Sequence, residues 1–271
     1  MHTFQSITRA IACFATCITL SITSIQAQDP GSSAEEALVA VLRSDVSPAE
    51  KAMACKKLAI AGSSQTVPEL AKLLPDPQLS SWARIALEAI PGEASDDALR
   101  DAAGSLDGQL LVGMINSIGV REDAKSVDLL AQKLQDDDAE VASAAAVALG
   151  RIGDDAATKT LRSALAEAPA EVRSAIAEGC VLCAERLYQQ GDAVAAAEVY
   201  DEVRDAEVPK QRILEATRGA ILARGEEGIP LLLESFRSSD KAIFQLALGT
   251  VREYPGHAVD SLLPDEVASA T

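Results

Sequence analysis

One phrase recurs along this chain and limits what it can fold into. Its clearest copy runs from Asp137 to Asp154. Asp138 stands where a side-chain oxygen can accept from the free N–H groups of a helix start. Val141, Ala144, Ala145, Ala148, Leu149 and Ile152 then fall at helical spacing and make one apolar face. Gly153 follows, where a left-handed turn costs little. A second helix comes next, with Ala157, Leu161, Ala164 and Leu165 facing inward. The phrase repeats as Leu58–Gly62 before Val67–Leu74, as Leu87–Gly92 before Asp96–Ala103, and as Ile115–Gly119 before Asp123–Leu134. Gly119, Gly153, Gly191 and Gly225 lie 34, 38 and 34 residues apart, and Gly62 lies two units before Gly119. A later copy ends near Pro255.

Units of this length, each of two helices, cannot bury an apolar face alone and must stack. The expected fold is all-α: an α-solenoid of about six to seven two-helix repeats. Pro68 and Pro230 fall in the first turns of second helices, where a missing N–H is not needed. Cys180–Val208 departs from the pattern. Its first helix runs on through Ala184, Leu187 and Tyr188 to Gly191, and its second carries Ala196, Tyr200 and Val203. That resembles a wider hairpin of tetratricopeptide type; a simple loop insertion is the alternative. No low-complexity segment interrupts Ser33–Pro255, so one repeat domain is expected over 34–263. Residues 28–33 form a short lead-in, and 264–271 a tail or truncated further repeat.

The first 27 residues read as an address. Arg9 is followed by an uncharged apolar run, Ala10–Ile25, and by Ala27 at a cleavage position. This is the order of a secretory signal peptide, and the run is short for a membrane-spanning helix. Lipidation fits poorly, because Thr16 precedes Cys17 and Cys13 comes too early. The expectation is export to the periplasm or the medium, with no membrane insertion after cleavage. Removing Arg9 would take the formal charge from −17 to −18.

The phrase Ala146-Val147-Ala148-Leu149-Gly150-Arg151-Ile152-Gly153 after an acidic turn resembles the HEAT repeat of the phycobilisome-lyase type. With Ser47–Ala52, Asp76–Ser80, Leu110–Gly113 through Ile118–Arg121, and Arg218–Gly225, the chain resembles the HEAT-repeat region of exported planctomycete-type bacterial proteins. The resemblance spans Ala34–Leu263 and implies the fold; a continuous array with no catalytic constellation reads as an exported scaffold that presents its concave face to a protein or peptide. Some relatives continue into a sugar-hydrolase-like β-sandwich or a cytochrome c domain. The alternative it implies is therefore the scaffold part of a larger exported hydrolase or cytochrome c-type protein. A HEAT-like lyase is a remote reading.

Candidate chemistry is sparse, and no enzyme or cofactor is expected. Cys180-Val181-Leu182-Cys183 is the sole C-x-x-C. Ala184 stands where covalent haem needs His, and zinc would have to recruit distant Cys55 or His257. Cys183 aligns with Ala145, so a core role is expected, with a local disulfide as the alternative. Asp136–Glu140 lacks the Gly and Glu of a calcium loop, since Val141 and Val147 stand there. Helix capping explains that run, and also Asp96-Asp97, Asp154-Asp155 and Glu226-Glu227. No Gly-x-Ser-x-Gly is present. Trp82 aligns with Ala144, which predicts a core indole. An acidic chain with only 3% aromatic residues suits neither phosphate contacts nor base stacking, so no nucleic-acid partner is expected. What remains is surface. Second helices usually line the concave face of a solenoid. Their outward residues here are Lys72, Arg100, Lys125, Asp128, Lys159, Arg162, Glu198 and Glu202, with Glu234 beyond. Basic residues come early and acidic ones late, which outlines a polar groove for a protein or peptide partner.

Overall fold

The computed structural model describes residues 30–254. The expected signal peptide 1–27, residues 28–29 of the lead-in, His257 and the tail 264–271 lie outside them. The described chain is an α-solenoid without a strand. A leading helix, α1 (Pro30–Arg43), is followed by six hairpins: α2 (Pro48–Ala61) with α3 (Val67–Ala71), α4 (Ser80–Ala89) with α5 (Glu93–Ala103), and α6 (Gly108–Arg121) with α7 (Val127–Lys133). Then come α8 (Ala139–Ile152) with α9 (Asp155–Leu165), α10 (Ala170–Gln189) with α11 (Ala193–Asp205), and α12 (Lys210–Ala223) with α13 (Ile229–Phe236). Helix α14 (Lys241–Val251) begins a further unit. Even-numbered helices stack on one another in a row, and odd-numbered helices form the second row.

Local signals set most of the boundaries. Asp138, Asp154, Asp192 and Asp240 each accept from a backbone N–H in the first turn of the following helix. Ser47 and Glu50 close a reciprocal capping box on α2. Gly153 is left-handed at φ 56°, as its place after Ile152 predicts. Gly119 behaves differently from its reading as a helix stop. Helix α6 runs on to Arg121, and Glu122 takes the left-handed position at φ 52°. Gly119 is instead a point of close approach: a Cβ there would lie 2.9 Å from the Cα of Ala148. Helix α5 starts at Glu93, three residues before Asp96, because Gly92 at φ 101° reverses the chain directly after α4. The wider hairpin is present, with α10 running to 20 residues.

The core is a continuous band from Leu42 to Ala223, made largely of Leu, Ile, Val and Ala. In the stack α6–α8–α10 the helices approach through small residues. A Cβ on Gly179 would stand 2.5 Å from the carbonyl oxygen of Ala146, and one on Gly150 would stand 2.6 Å from the Cα of Gly179. The two helices therefore touch backbone to backbone. A smaller cluster of Ile221, Leu232, Phe236, Ala247 and Tyr254 closes the far end. There Phe236 and Phe244 meet edge to face with centroids 6.0 Å apart. Trp82 is not core, contrary to its alignment. Ala144 is 8% exposed whereas Trp82 is 38% exposed. The position lies at the margin of the apolar face, where a methyl is covered but an indole extends past its cover.

Where small residues do not set the contact, arginines do. Arg121 on α6 reaches back to the end of α4. It donates to the carbonyls of Leu87 (2.8 Å), Glu88 (3.2 Å), Ile90 (2.8 Å) and Gly92 (3.0 Å), and pairs with Asp96. It satisfies carbonyls that a helix end leaves free. Arg84 on α4 donates to the Gly113 carbonyl and to Ser117 Oγ on α6, each at 3.0 Å. Arg186 on α10 donates to the Arg151 carbonyl of α8 at 2.6 Å and to the Glu122 carboxylate at 2.8 Å.

Two stability outcomes follow from these contacts. Ala is a better helix former than Gly by about 0.5–1 kcal/mol, but overpacking against rigid backbone costs about 1–3 kcal/mol. Gly179→Ala should therefore destabilise, whereas Gly249→Ala, with nothing within 4 Å of its Cβ, should stabilise slightly. Urea midpoints of the two variants should move in opposite directions. Arg121→Met leaves the α4 carbonyls without their donor and should lose about 1–3 kcal/mol, read from the same titrations.

Candidate functional site

The second helices carry the residues that the sequence singles out. Lys72 follows α3, Arg100 lies on α5, and Lys125 lies in the 3₁₀ turn Ala124–Ser126 ahead of α7. Asp128 is on α7, Lys159 and Arg162 on α9, and Glu198 and Glu202 on α11. Glu234 lies on α13 and is exposed. All belong to the odd-numbered row because the arcs opposite them, such as Ala157–Leu161–Leu165 on α9, are buried.

Most of the basic residues are already engaged within the chain. Lys72 and Arg43 both hold the Glu69 carboxylate, at 2.8 and 2.9 Å, and together keep its pKa down at about 2. Arg100 bridges Asp97 and Asp123, and Asp123 also accepts from Ser126 Oγ at 2.6 Å. That cluster ties α5 to the start of α7. Lys125 pairs with Glu93. Arg162 meets Glu202 through a two-pronged contact from α9 to α11, Nε to Oε2 at 2.8 Å and Nη2 to Oε1 at 2.5 Å. The contact, with Glu198 nearby, raises the guanidinium pKa. So the structure brings Arg162, Glu198 and Glu202 together and sets the Lys125–Glu93 pair beside the Arg100–Asp97–Asp123 cluster, while Lys72 serves a separate contact at Glu69. Lys159 is exposed and has no ion pair among the described residues.

The second row leaves openings between its members. A cleft of about 990 Å³ separates α7 from α9, with Ala156, Lys159, Thr160 and Ser163 on its α9 wall. Ala131, Leu134 and Gln135 face them, and Asp136, Asp137 and Glu167 stand at its edge. A second cleft of about 620 Å³ lies between α9 and α11, lined by Arg162, Ser163, Asp201, Glu202 and Asp205. A third, of about 490 Å³, lies between α3 and α5 around Val67, Pro68, Ala71 and Ala98. Ala156, Thr160 and Ser163 were not singled out from the sequence. Their signal was present, since small residues at i, i+4 and i+7 share one helix arc and leave room where larger side chains would fill the gap. Lys159 and Arg162 line these clefts, whereas Asp128 does not. The chemistry offered is hydroxyls, methyls, rim carboxylates and one free ammonium, suited to contacts with a polypeptide.

The remaining sequence candidates are structural. Asp136 Oδ1 accepts from the Asp138 backbone N–H at 3.1 Å, and Asp138 accepts from Glu140 at 2.9 Å, which is turn and cap chemistry. No group of three or more His, Cys, Asp or Glu residues is placed to hold a metal ion among the described residues. Cys55, Cys180 and Cys183 are free thiols with 0–1% exposure. Burial pushes the Cys55 thiol up to about 11, and it raises Cys180 and Cys183 as well. The thiolate is the reactive form. A chain lacking residues 1–27 should therefore resist dithiobis(nitrobenzoate) at about pH 8 while folded, and should release its three thiols only in denaturant.

No match is found among curated proteins. Solved structures with similar folds include two engineered proteins. The first is 19% identical at a TM-score of 0.44, with 85% of this chain and 71% of that one covered. The second is 19% identical at 0.38, with 82% and 97% covered. A designed armadillo repeat protein is 18% identical at 0.31, with 80% and 98% covered. Residues 105–179, from just before α6 to the middle of α10, match the family of HEAT repeats.

Proposed function

We propose that this protein is an exported, non-enzymatic scaffold that holds a protein or peptide partner on its second-helix face. The observation that carries this reading is the open cleft between α7 and α9. Its walls are small and polar, and Lys159 is left free at its margin. Repeat stacks bind extended partners because equivalent positions on successive units form one continuous surface. Here the small residues of α9 give backbone-sized access, and the Arg162–Glu202 pair sets the spacing to α11. The match of residues 105–179 to HEAT repeats supports the same reading, since that stretch contains both walls of the α7–α9 cleft. Export rests on the charge and apolar pattern of residues 1–27, and no described helix is long and apolar enough to cross a membrane.

Two measurements check this. Residues 1–27 fused ahead of alkaline phosphatase should give activity outside the cytoplasm, and the same fusion without them should give none. Used as bait in a periplasmic extract, the chain should retain a partner that Thr160→Arg with Ser163→Arg releases, because the long side chains fill the cleft. Retention of nothing above an unrelated solenoid would reject the scaffold reading.

A further inference from the structure

The first-helix row has an outward face of its own, and at one end it is neither polar nor neutral. On α2, Met53 is 51% and Ile60 87% exposed; on α4, Trp82 is 38% and Ile85 46% exposed. Positions 53, 56, 57 and 60 lie on one arc of α2, opposite the buried Ala54 and Leu58. Positions 82 and 85 lie on the matching arc of α4, opposite the buried Ala83 and Leu87. The two helices pack directly against each other, so their outward arcs adjoin. Clustered exposed apolar side chains of this size mark interaction surfaces, whereas scattered single ones do not.

Charge says what could cover this face. Lys56 and Lys57 flank the apolar residues, are exposed, and form no ion pair among the described residues. Arg84, Arg100, Arg121, Arg162 and Arg218 all contact the chain's own carboxylates. Nor does the patch hold a carboxylate free to answer the two lysines. Glu50 is taken up by the α2 capping box, and Glu88 accepts from Ser117 Oγ at 2.6 Å. In a chain with 41 acidic and 24 basic residues, two unanswered lysines beside four exposed apolar side chains form a local reversal of sign.

We propose that the outward face of α2 and α4 docks an acidic amphipathic segment of a partner protein. Its apolar side chains would cover Met53, Ile60, Trp82 and Ile85, and its carboxylates would meet Lys56 and Lys57. An anionic lipid surface offers similar chemistry, but the net charge of −17 repels it at long range. A short acidic segment can approach the lysines without meeting the rest of the field. This surface is separate from the second-helix clefts, and its failure would leave that reading untouched.

Trp82 is the single tryptophan of the chain and lies within the patch, so its fluorescence reports binding directly. The probe is a synthetic amphipathic helix of Leu and Glu, titrated into the full chain. The expected result is a saturable blue shift that weakens with added salt. Lys56→Glu with Lys57→Glu should weaken binding at least about tenfold, which is about 1.4 kcal/mol. Ile60→Ser should weaken it independently, with circular dichroism unchanged in both variants. No shift, an equal shift with the Leu/Lys version of the peptide, or a shift only with phosphatidylglycerol vesicles would each overturn the proposal.

Discussion

The backbone contact between α8 and α10 at Gly150 and Gly179 sets the spacing on which the rest of the solenoid depends. Without side chains at these two positions, the helices approach until Cα and carbonyl atoms touch. Gly119 against Ala148 extends the same close packing to α6. Dispersion is weak per atom pair but is gained along the whole line of contact. The interior here is therefore built from short side chains, and an Ala-rich composition with few aromatics is what such a stack requires.

Towards the start of the chain the principle changes. Between α4 and α6 the contact is carried by Arg84, Ser117, Glu88 and Arg121. Arg121 does two things at once: it closes the free carbonyls of α4, and it fixes α6 relative to that helix end. A guanidinium suits this role because its donors lie in a rigid plane and can serve several carbonyls together. Most of the basic residues are consumed in this way, including several that lie on the second-helix face. The surface that remains for partners is consequently defined less by fixed charge than by shape, with Lys159, Lys56 and Lys57 among the described basic residues that form no ion pair.

Much of the architecture was legible in advance from particular residues. Asp138 and Asp154 announced helix starts, Gly153 announced a stop, and Val141 through Ile152 announced the buried face; each lies as its local chemistry demands. Gly119 and Trp82 were misread for related reasons. Glycine serves both as a helix stop and as a place for backbones to touch, and only a neighbouring helix reveals which. An aligned position tells whether a site faces inward, but not how large a side chain its cover can hold. The site was legible only in part. The row containing Lys159, Arg162 and Glu202 could be chosen by periodicity, yet the pairing of Arg162 with Glu202 joins residues forty positions apart.

The sequence by itself determined the helical repeat, its caps and the longer hairpin at α10–α11, because each is written in contacts between residues close along the chain. Only the tertiary structure decided which charges remain free, which apolar side chains stay uncovered, and where the second row opens into clefts. Those properties depend on the distances between stacked helices, and these are set by contacts between residues on different helices, many positions apart along the chain.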